Sequence, residues 1–411
     1  MTPEPAPCRS CGQIPLEDVL SLGPLPLANR LLTAEQLAEP EPTYPLDLVL
    51  CPRCTLAQLT VTLPPDQLFR DYVYFSSYAD TAVSCAGKLV GQLVSARRLG
   101  PASLAIEIAS NDGYLLQHYL RHGVPVLGIE PALNVAKIAI ERGIPTLTEF
   151  FGAALADQLR QDGKRADVIH ANNVLAHVAD LNGFVAGLGA LLKEGGCAVV
   201  EVPYVKDLIE RIEFDTIYHE HLCYFSLTAL AGLFNRHGLR IEDVQHLTIH
   251  GGSLRLFLTK GTGVPQVPAS VQTLIAGEAT AGLTAASYYR AFASRVENLG
   301  ETLRACLAEL KAKGARIAAY GASAKGTTLL NYFDIGRETI DFVVDRNPAK
   351  QGRYTPGTHL PVHPPQRLIE EMPEFVLLLA WNFADEVLAQ QQEYRHRGGK
   401  FIIPIPEPEV V

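Results

Sequence analysis

The stretch of sequence that decides the fold is Leu104-Ala-Ile-Glu-Ile-Ala-Ser-Asn-Asp-Gly113. A short apolar run that contains Glu107 leads into a polar loop, and a helical stretch follows from Leu115. A strand, an acidic residue, a glycine turn and a helix form the elbow that holds phosphate or adenosyl ligands in α/β proteins. This stretch therefore predicts the first βα unit of a doubly wound sheet, although an ordinary strand–loop–helix connection has the same outline.

The residues of this loop limit the class of ligand that it can bind. A dinucleotide site would carry G-x-G-x-x-G, and Ala109 and Asn111 replace two of those glycines. The next strand, 126–130, ends in Glu130, whose carboxylate can accept hydrogen bonds from both ribose hydroxyls of a nucleoside. The loop thus suits a nucleoside ligand without a pyrophosphate, such as S-adenosylmethionine.

The rest of the chain continues the alternation of strands and helices. Strands are predicted at 167–171 and 198–202, which gives a parallel sheet covered on both faces. A capped helix is expected at 226–237, and one long helix from about Gly277 to Lys313 is expected to bridge two domains. Four more strands between 317 and 404 predict a second, smaller doubly wound unit.

Length and composition set the outer limits. The 411 residues suggest two or three domains, and 47% hydrophobic residues indicate a folded globular chain. The net charge of −9 disfavours a general nucleic-acid surface. The sequence has no apolar run of about 18 residues and no basic–apolar leader, so we expect a cytoplasmic protein without a membrane span.

Four of the eight cysteines form two C-x-x-C pairs. Cys8 and Cys11, with Cys51 and Cys54, present four thiolates to a tetrahedral Zn²⁺ ion in a closed and therefore structural site. Two unrelated pairs of buried or redox cysteines are the alternative. The four scattered cysteines are expected to be small core residues.

A second loop, Tyr320-Gly-Ala-Ser-Ala-Lys-Gly-Thr-Thr328, follows a predicted strand and opens a helix. Gly321 and Gly326 permit close backbone approach, and Lys325 adds charge beside the helix N-terminus, which favours an anion. The spacing is not that of a Walker A loop, so kinase or ATPase chemistry is disfavoured. The loop suits the diphosphate of a nucleotide sugar; a glycine-rich turn with a solvated lysine is the alternative.

The densest group of titratable residues is Thr216-Ile-Tyr-His-Glu-His-Leu-Cys-Tyr-Phe-Ser226. Tyr218, Glu220 and His221 are candidates for proton abstraction next to a carbonyl, because histidine titrates near working pH. His177 follows the strand 167–171, at the edge of the sheet where such folds bind ligands. Of two histidines separated by one residue, one usually faces away from the site, so no chemical role is assigned to His219. A metal site formed by His219, Glu220 and His221 is disfavoured, because the sequence lacks the helical H-E-x-x-H pattern.

Together these features resemble the deoxysugar C-methyltransferase family over essentially the whole chain. The resemblance rests on the four cysteines, on Glu107–Gly113, Gly128-Ile-Glu-Pro131 and Asn172-Asn173, and on Gly321–Gly326 with Ala380-Trp-Asn382. It implies a zinc-binding domain at 1–75, a class I S-adenosylmethionine-dependent methyltransferase domain with the bridging helix at 76–313, and a nucleotide-sugar-binding α/β domain at 314–411.

The resemblance also implies roles for individual residues. The cofactor-binding set would be Glu107, Ala109, Asn111, Asp112, Gly113, Glu130, Pro131, Asn172 and Asn173. The catalytic set would be Tyr218, Glu220 and His221, with His177 nearby. The substrate-binding set would be Tyr72, Ser76, Ser77, Gly321, Ser323, Lys325 and Asn382. The chain departs from the family at Ala109, where close relatives can carry glycine, and at His219, which varies.

The implied reaction begins with removal of a hydrogen α to the keto group of a nucleotide-linked 4-keto deoxysugar, usually one carrying dTDP. The enolate carbon then attacks the methyl group of S-adenosylmethionine, and His177 or Tyr218 is a candidate donor to the enolate oxygen. We expect a monomer that binds a nucleotide sugar, and neither nucleic acid nor membrane. Methylation at C3 or C5, O-methylation, and a non-catalytic zinc-containing nucleotide-binding protein all remain open, while a dehydrogenase is disfavoured.

Overall fold

The computed structural model describes residues 6–70, 75–78, 80–248, 251–261 and 267–411. These described residues form three β-sheets, and helices cover the two larger ones. Within the described ranges, no helix combines the length and apolar character needed to cross a membrane.

The N-terminal sheet is antiparallel and contains four strands in the order β1-β2-β3-β9. Its first three strands are β1 (Glu17–Pro26), β2 (Thr43–Leu50) and β3 (Ala57–Leu59), and helix α1 (Pro65–Phe69) follows. The edge strand β9 (Cys223–Tyr224) comes from the segment that carries the candidate catalytic residues. The predicted zinc-binding segment therefore shares a sheet with that segment.

The central sheet has seven strands in the order β10-β11-β8-β7-β4-β5-β6. Its strands are β4 (Ala105–Ile108), β5 (Val126–Ile129), β6 (Thr146–Leu147), β7 (Ala166–Asn172), β8 (Leu192–Pro203), β10 (Leu239–Leu247) and β11 (Ser253–Lys260). Its helices are α2 (Asp80–Arg97), α3 (Leu116–Arg121), α4 (Leu133–Glu141), α5 (Ala153–Gln161), α6 (Leu181–Leu191), α7 (Val205–Glu210) and α8 (Leu227–Arg236). The five strands from β8 to β6 are parallel, whereas β11 runs antiparallel between β8 and β10.

The predicted cap of α8 is present, because the Ser226 hydroxyl accepts a hydrogen bond from the Ala229 N–H at 3.1 Å. Burial of its apolar face on the central sheet accounts for the rest of its stability.

The single long helix predicted from 277 to 313 is wrong. Two helices occupy this region, α9 (Ala269–Ala281) and α10 (Ala286–Ala312). Gly282 lies between them with a φ of +87°, the left-handed conformation that ends helices. Leucine and aromatic side chains along α10 are buried as the periodicity predicted, and they pack with the N-terminal sheet and with the C-terminal α/β unit.

The C-terminal sheet has six strands in the order β14-β13-β12-β15-β16-β17. Its strands are β12 (Ile317–Tyr320), β13 (Val343–Val344), β14 (Val362–His363), β15 (Phe375–Leu378), β16 (Lys400–Ile403) and β17 (Glu409–Val410). Its helices are α11 (Ala324–Tyr332), α12 (Arg367–Glu371), α13 (Ala384–Gln390) and α14 (Gln392–His396). The first five strands are parallel, and the strand order reverses between β12 and β15, where open α/β sheets bind ligands.

One apolar core joins strands β1–β3, helix α10 and the C-terminal sheet. Phe214 and Ile217, just ahead of the candidate catalytic residues, are fully buried in this core. The segment 213–226 is thus held between the three sheets, where its polar side chains meet residues of all three.

Candidate active site and zinc centre

The four predicted zinc ligands converge on one point. The sulfur atoms of Cys8, Cys11, Cys51 and Cys54 all lie within 4.8 Å of one another. The Cys8–Cys54 and Cys11–Cys51 sulfur pairs are 3.4 and 3.6 Å apart. Tetrahedral zinc with Zn–S bonds of about 2.3 Å requires sulfurs separated by roughly 3.8 Å, so the four thiols fit the ion.

Both C-x-x-C turns use the same backbone conformation. Gly12 follows the first pair with a φ of +72°, and Thr55 follows the second with a φ of +59°. The Gly12 N–H donates to the Cys8 carbonyl at 2.8 Å, and the Thr55 N–H donates to the Cys51 carbonyl at 3.0 Å. A β-branched residue is strained in this left-handed region, so the second turn is held by its surroundings and not by its own preference.

The predicted cofactor loop takes left-handed turns without the expected glycines. Ala109 and Asn111 have φ values of +54° and +50°, and Gly113 follows at +80°. Glu107 is buried at the end of β4, and one of its oxygens has no hydrogen-bond partner among the described residues. Burial, followed by the nearby charges of Glu130 and Asp112, raises the pKa of Glu107 well above its usual value.

Glu130 braces this loop from the end of β5. One carboxylate oxygen accepts the Asn111 N–H and the other accepts the Ala132 N–H, both at 2.9 Å. Burial raises the pKa of Glu130, and these two hydrogen bonds oppose the shift. Because a carboxylate has about four acceptor positions, lone pairs remain for ribose hydroxyls. The carbonyl of Pro131 accepts from Arg70 at 3.5 Å.

Ser76 and Ser77 contact the cofactor loop from the segment that precedes the central sheet. The Ser76 N–H donates to the Asn111 side-chain oxygen at 2.8 Å, and the Ser77 hydroxyl donates to Asp112. Arg142, which the sequence reasoning missed, pairs with Asp112 at 3.3 Å. These contacts tie the segment before the central sheet to the loop, while the sugar-pocket role of the two serines stays a prediction. Tyr72 lies outside the described residues.

Asn172 and Asn173 end strand β7 at the same edge as the cofactor loop. Asn173 has a φ of +53°, and its N–H donates to the Glu201 carbonyl at 2.8 Å. The side-chain oxygens of both asparagines are buried without a hydrogen-bond partner among the described residues. Buried unpaired acceptors of this kind are costly unless a ligand donates to them.

The side chains of Tyr218 and His221 are hydrogen-bonded to each other. His221 Nδ1 lies 2.8 Å from the Thr216 carbonyl and therefore carries the proton that this bond needs. Its Nε2 lies 3.0 Å from the Tyr218 hydroxyl, so Nε2 is the acceptor and the hydroxyl donates. Burial, together with the neighbouring His177, lowers the pKa of His221 to about 3, which keeps the imidazole neutral.

His177 packs against this pair. Its ring centre is 4.9 Å from that of His221, and its Nδ1 donates to the Glu220 carbonyl at 2.7 Å. Burial lowers the pKa of His177 to about 4, although hydrogen bonds to the Glu220 and Asn173 backbones oppose the shift. His177 is thus a neutral imidazole beside the predicted base.

Glu220 and His219 face different neighbours. One Glu220 oxygen accepts from the Asn29 side chain at 2.8 Å, and the other has no partner among the described residues. Burial raises the pKa of Glu220 to about 7. His219 hydrogen-bonds the Tyr44 carbonyl at 3.1 Å and belongs to the packing of the N-terminal sheet. Asn29 sits in a proline-rich stretch without periodicity, so the sequence carried no signal for it.

The second loop turns where the C-terminal strand order reverses. Gly321 has a φ of +98°, and a Cβ on Gly326 would lie 2.8 Å from the Leu379 Cβ. Both glycines therefore serve the close contact of this loop and α11 with β15. The Ser323 hydroxyl accepts the Gly326 N–H at 3.0 Å and caps α11, an arrangement that a glycine at 323 could not provide.

Lys325 points inward. Its ammonium nitrogen is buried, lies 4.4 Å from the centre of the Trp381 ring and has no hydrogen-bond partner among the described residues. Asn382 is half-buried next to Trp381 at the end of β15. Gly321, Ser323, Lys325 and Asn382 thus all lie just beyond the carboxyl ends of β12 and β15, and their substrate-binding role stays a prediction.

The residue that would hold a ribose in a dinucleotide site of this unit is engaged elsewhere. Asp345 follows β13 and accepts hydrogen bonds from Ala322 N–H and Asn347 N–H at 2.9 and 2.8 Å. Lys350 lies 3.7 Å from the same carboxylate and donates to the Ala322 carbonyl at 2.8 Å. With Ser323 at the position of the second glycine, this loop departs from dinucleotide-binding geometry.

The seven-stranded sheet, the loop at Glu107–Gly113 and the acidic residue after β5 define an S-adenosylmethionine-dependent methyltransferase of class I, with a zinc site attached. Family models agree along the chain. A zinc binding domain matches residues 8–69, a methyltransferase domain matches 92–244, and a C-methyltransferase C-terminal domain matches 248–406.

Comparison with known proteins narrows the class. The chain is 37% identical over 404 residues to the C-methyltransferase NovU of Streptomyces niveus, covering 98% of this chain and 96% of the relative. The protein therefore belongs to the C-methyltransferase family, and its cofactors are S-adenosylmethionine and a structural zinc ion. This confirms the family resemblance and the fold class drawn from the sequence.

More distant likenesses cover less of the chain. A ubiquinone biosynthesis O-methyltransferase of Methylobacterium nodulans is 26% identical over 178 residues, which are 39% of this chain and 68% of the relative. The crystal structure of magnesium protoporphyrin IX methyltransferase from Synechocystis with bound S-adenosylmethionine has a TM-score of 0.34 and 14% identity, over 44% of this chain and 79% of that one.

Proposed function

We propose that this enzyme transfers the methyl group of S-adenosylmethionine to a carbon α to the keto group of a nucleotide-linked 4-keto deoxysugar, with dTDP as the nucleotide. The observation that carries the proposal is the hydrogen-bonded Tyr218–His221 pair, in which the neutral imidazole accepts the tyrosine hydroxyl at Nε2 and can therefore take its proton. A carbon acid next to a ketone needs such a base, and an ordinary surface histidine would be partly charged.

The nucleotide part of the substrate is assigned to the crevice between β12 and β15. Lys325 offers a buried ammonium there that has no hydrogen-bond partner among the described residues, which suits a diphosphate. This crevice and the Tyr218–His221 pair are joined through the segment 213–218. Lys325 is near enough to His221 to help lower its pKa, which supports one extended ligand that reaches both.

Proton transfer follows from the hydrogen bonds. Tyr218 takes the substrate α-proton as its own hydroxyl proton passes to His221 Nε2, while the C–H electron pair becomes the enolate. The Thr216 carbonyl holds the opposite nitrogen of His221 and stabilises the imidazolium that forms. His177 lies close enough to orient His221, but its single N–H is donated to the Glu220 carbonyl, so the Tyr218 hydroxyl is assigned to the enolate oxygen.

The cofactor loop has the task of orienting the donor. When bound, S-adenosylmethionine supplies an electrophilic methyl group on a sulfonium. Glu130 and the backbone of the loop at 109–113 are assigned to its nucleoside. The side-chain oxygens of Asn172 and Asn173, which lack partners within the described part of the chain, are assigned to its polar groups. Holding both reactants at the carboxyl edge of the central sheet replaces a bimolecular collision by a positioned encounter.

The test uses S-adenosylmethionine labelled with ¹³C in its methyl group and a dTDP-linked 4-keto-6-deoxyhexose. NMR of the product should show the label bonded to a sugar carbon next to the carbonyl. His221→Asn should abolish turnover while both ligands still bind by calorimetry, and His122→Asn, on the exposed end of α3, should behave as wild type. A label bonded to oxygen, or near-normal turnover by His221→Asn, would contradict the proposal.

A further inference from the structure

The chain has one tryptophan, Trp381, and it stands at the point where the C-terminal sheet reverses its strand order. Its indole N–H donates to a carboxylate oxygen of Asp215 at 2.7 Å. Asp215 is fully buried and lies in the segment ahead of the catalytic residues. A buried carboxylate bonded across two units is costly to leave unpaired, so this contact fixes one unit against the other.

Asp215 belongs to a short 3-10 turn, Phe214–Thr216. The backbone carbonyl of the next residue, Thr216, accepts a hydrogen bond from His221 Nδ1 at 2.8 Å. This bond fixes the tautomer of the proposed base. Phe214 packs on Phe333 at the end of α11, with ring centres 4.8 Å apart. Phe214 also lies 5.7 Å from the Tyr332 ring, so the turn links the C-terminal unit to His221 through one hydrogen bond and two aromatic contacts.

Three buried polar atoms surround this turn without hydrogen-bond partners among the described residues. They are the ammonium nitrogen of Lys325, one oxygen of Asp215 and one oxygen of Glu213. The Lys325 ammonium lies against the face of Trp381, 4.4 Å from the ring centre. An anion that binds Lys325 consequently changes the surroundings of Trp381, and the ammonium is the group of the three that such an anion would satisfy. Burial raises the pKa of Asp215 and raises that of Glu213 to about 7, which reduces the negative charge that an anion meets there.

We infer that Trp381 is a positioning residue, whose hydrogen bond to Asp215 holds the turn and thereby couples occupation of the nucleotide-sugar crevice to the orientation of His221. This inference rests on the proposed function, since it needs His221 as the base and Lys325 in the nucleotide site. It extends that function, because binding of the substrate's diphosphate would then help to orient His221 for proton removal.

Trp381→Phe removes the indole N–H and keeps an aromatic face for Lys325. We expect kcat to fall about 10- to 100-fold, because a misplaced base loses its near-attack geometry. The KM for the nucleotide sugar should stay within roughly threefold, since the binding groups remain. Asp215→Asn keeps an acceptor oxygen and should lose less than Asp215→Ala. The combination of Trp381→Phe with Asp215→Ala should be no worse than the stronger single change.

The single tryptophan also gives a direct signal. Titration of the wild-type enzyme with dTDP should change its tryptophan fluorescence, whereas S-adenosylhomocysteine alone should not. Phe383→Leu, an exposed neighbour in the same turn, is the matched control and should keep wild-type kcat. Far-UV circular dichroism and binding of S-adenosylhomocysteine show whether each variant is folded. If Trp381→Phe does not fold, Asp215→Asn and the wild-type titration still decide the question.

Wild-type kcat for Trp381→Phe would overturn the inference, as would a raised KM with unchanged kcat, additive effects of the two changes, or no fluorescence response to dTDP. His221→Asn separates this failure from failure of the proposed function. An inactive His221→Asn with a normal Trp381→Phe contradicts the coupling alone, whereas an active His221→Asn contradicts the base assignment itself.

Discussion

At the residue scale, burial sets the charge of the groups around the Tyr218–His221 pair. It lowers the pKa of His221 to about 3 and raises that of Glu220 to about 7. The imidazole is therefore neutral at working pH, whereas the Glu220 carboxyl is half-ionised near pH 7 and mostly neutral only below it. An enolate that forms here meets no fixed negative charge from Glu220 below about pH 7, which lowers the cost of forming it.

The raised pKa of Glu220 has a consequence for stability. The folded state holds this proton more tightly than the unfolded chain between about pH 4.5 and 7, so the folded protein loses stability as pH rises through that window. Glu220→Gln removes the loss and should be more stable than wild type at pH 8 by on the order of 3 kcal/mol. Thermal melts at pH 4.5 and pH 8 should show this difference only at the higher pH. An equal difference at both values would refute the assignment.

Ala109 has a strained backbone conformation. Its φ of +54° is one that glycine adopts freely and alanine adopts at a cost of about 1 kcal/mol. Ala109→Gly should raise the free energy of unfolding by up to that amount and leave cofactor affinity intact. Asn111→Gly is the informative contrast, because it loses the bond from the Ser76 N–H to the Asn111 side chain and should weaken binding. Destabilisation by Ala109→Gly would show that the loop conformation is wrong.

At the element scale, the sequence predicts what is local. Strand β4, helix α8 with its Ser226 cap and the two loops at 109–113 and 321–326 follow from apolar periodicity and turn residues. The break at Gly282 was missed because the apolar stripe continues on both sides of it. Strand β9 has two residues and forms only through pairing with β3, more than 160 positions earlier, so no local pattern could show it.

Helix α11 depends on close contact with β15. A Cβ on Gly326 would lie 2.8 Å from the Leu379 Cβ, so Gly326→Ala should push the helix away and cost roughly 1–3 kcal/mol. We expect at least tenfold weaker binding of dTDP by calorimetry, with unchanged binding of S-adenosylhomocysteine. Gly277→Ala in α9 is the control and should stabilise the protein slightly, because the added Cβ would meet no other described part of the protein within 4 Å. Equal loss of both ligands would place the nucleotide elsewhere.

At the scale of the whole molecule, the three sheets are interlocked. The zinc cluster adjoins β3, β3 pairs with β9, and β9 follows directly on the catalytic segment. Cys8 and Cys51 are also part of the core of the central sheet. The sequence could assign a zinc site from spacing alone, but not its place beside the candidate active site, because that depends on contacts between distant parts of the chain.

This arrangement predicts that a structural ion affects turnover. Removal of zinc with a chelator should release about one ion per chain, lower the melting temperature and reduce kcat, since the β3–β9 pairing loosens. Cys8→Ser should behave in the same way, and Cys306→Ser on α10 should not. Full activity and an unchanged melting temperature after complete zinc loss would contradict a structural role.

The central claim is that His221 and Tyr218 remove a proton next to the sugar carbonyl, and hydrogen exchange tests it most directly. The enzyme is incubated in D₂O with the dTDP-linked 4-keto-6-deoxyhexose and S-adenosylhomocysteine, so that no methyl can be transferred, and the sugar is followed by ¹H NMR. We predict loss of an α-hydrogen signal with the wild type and with His122→Asn, and exchange at least about 100-fold slower with His221→Asn. Absence of wild-type exchange above the rate in buffer, or equal exchange by His221→Asn, would contradict the account.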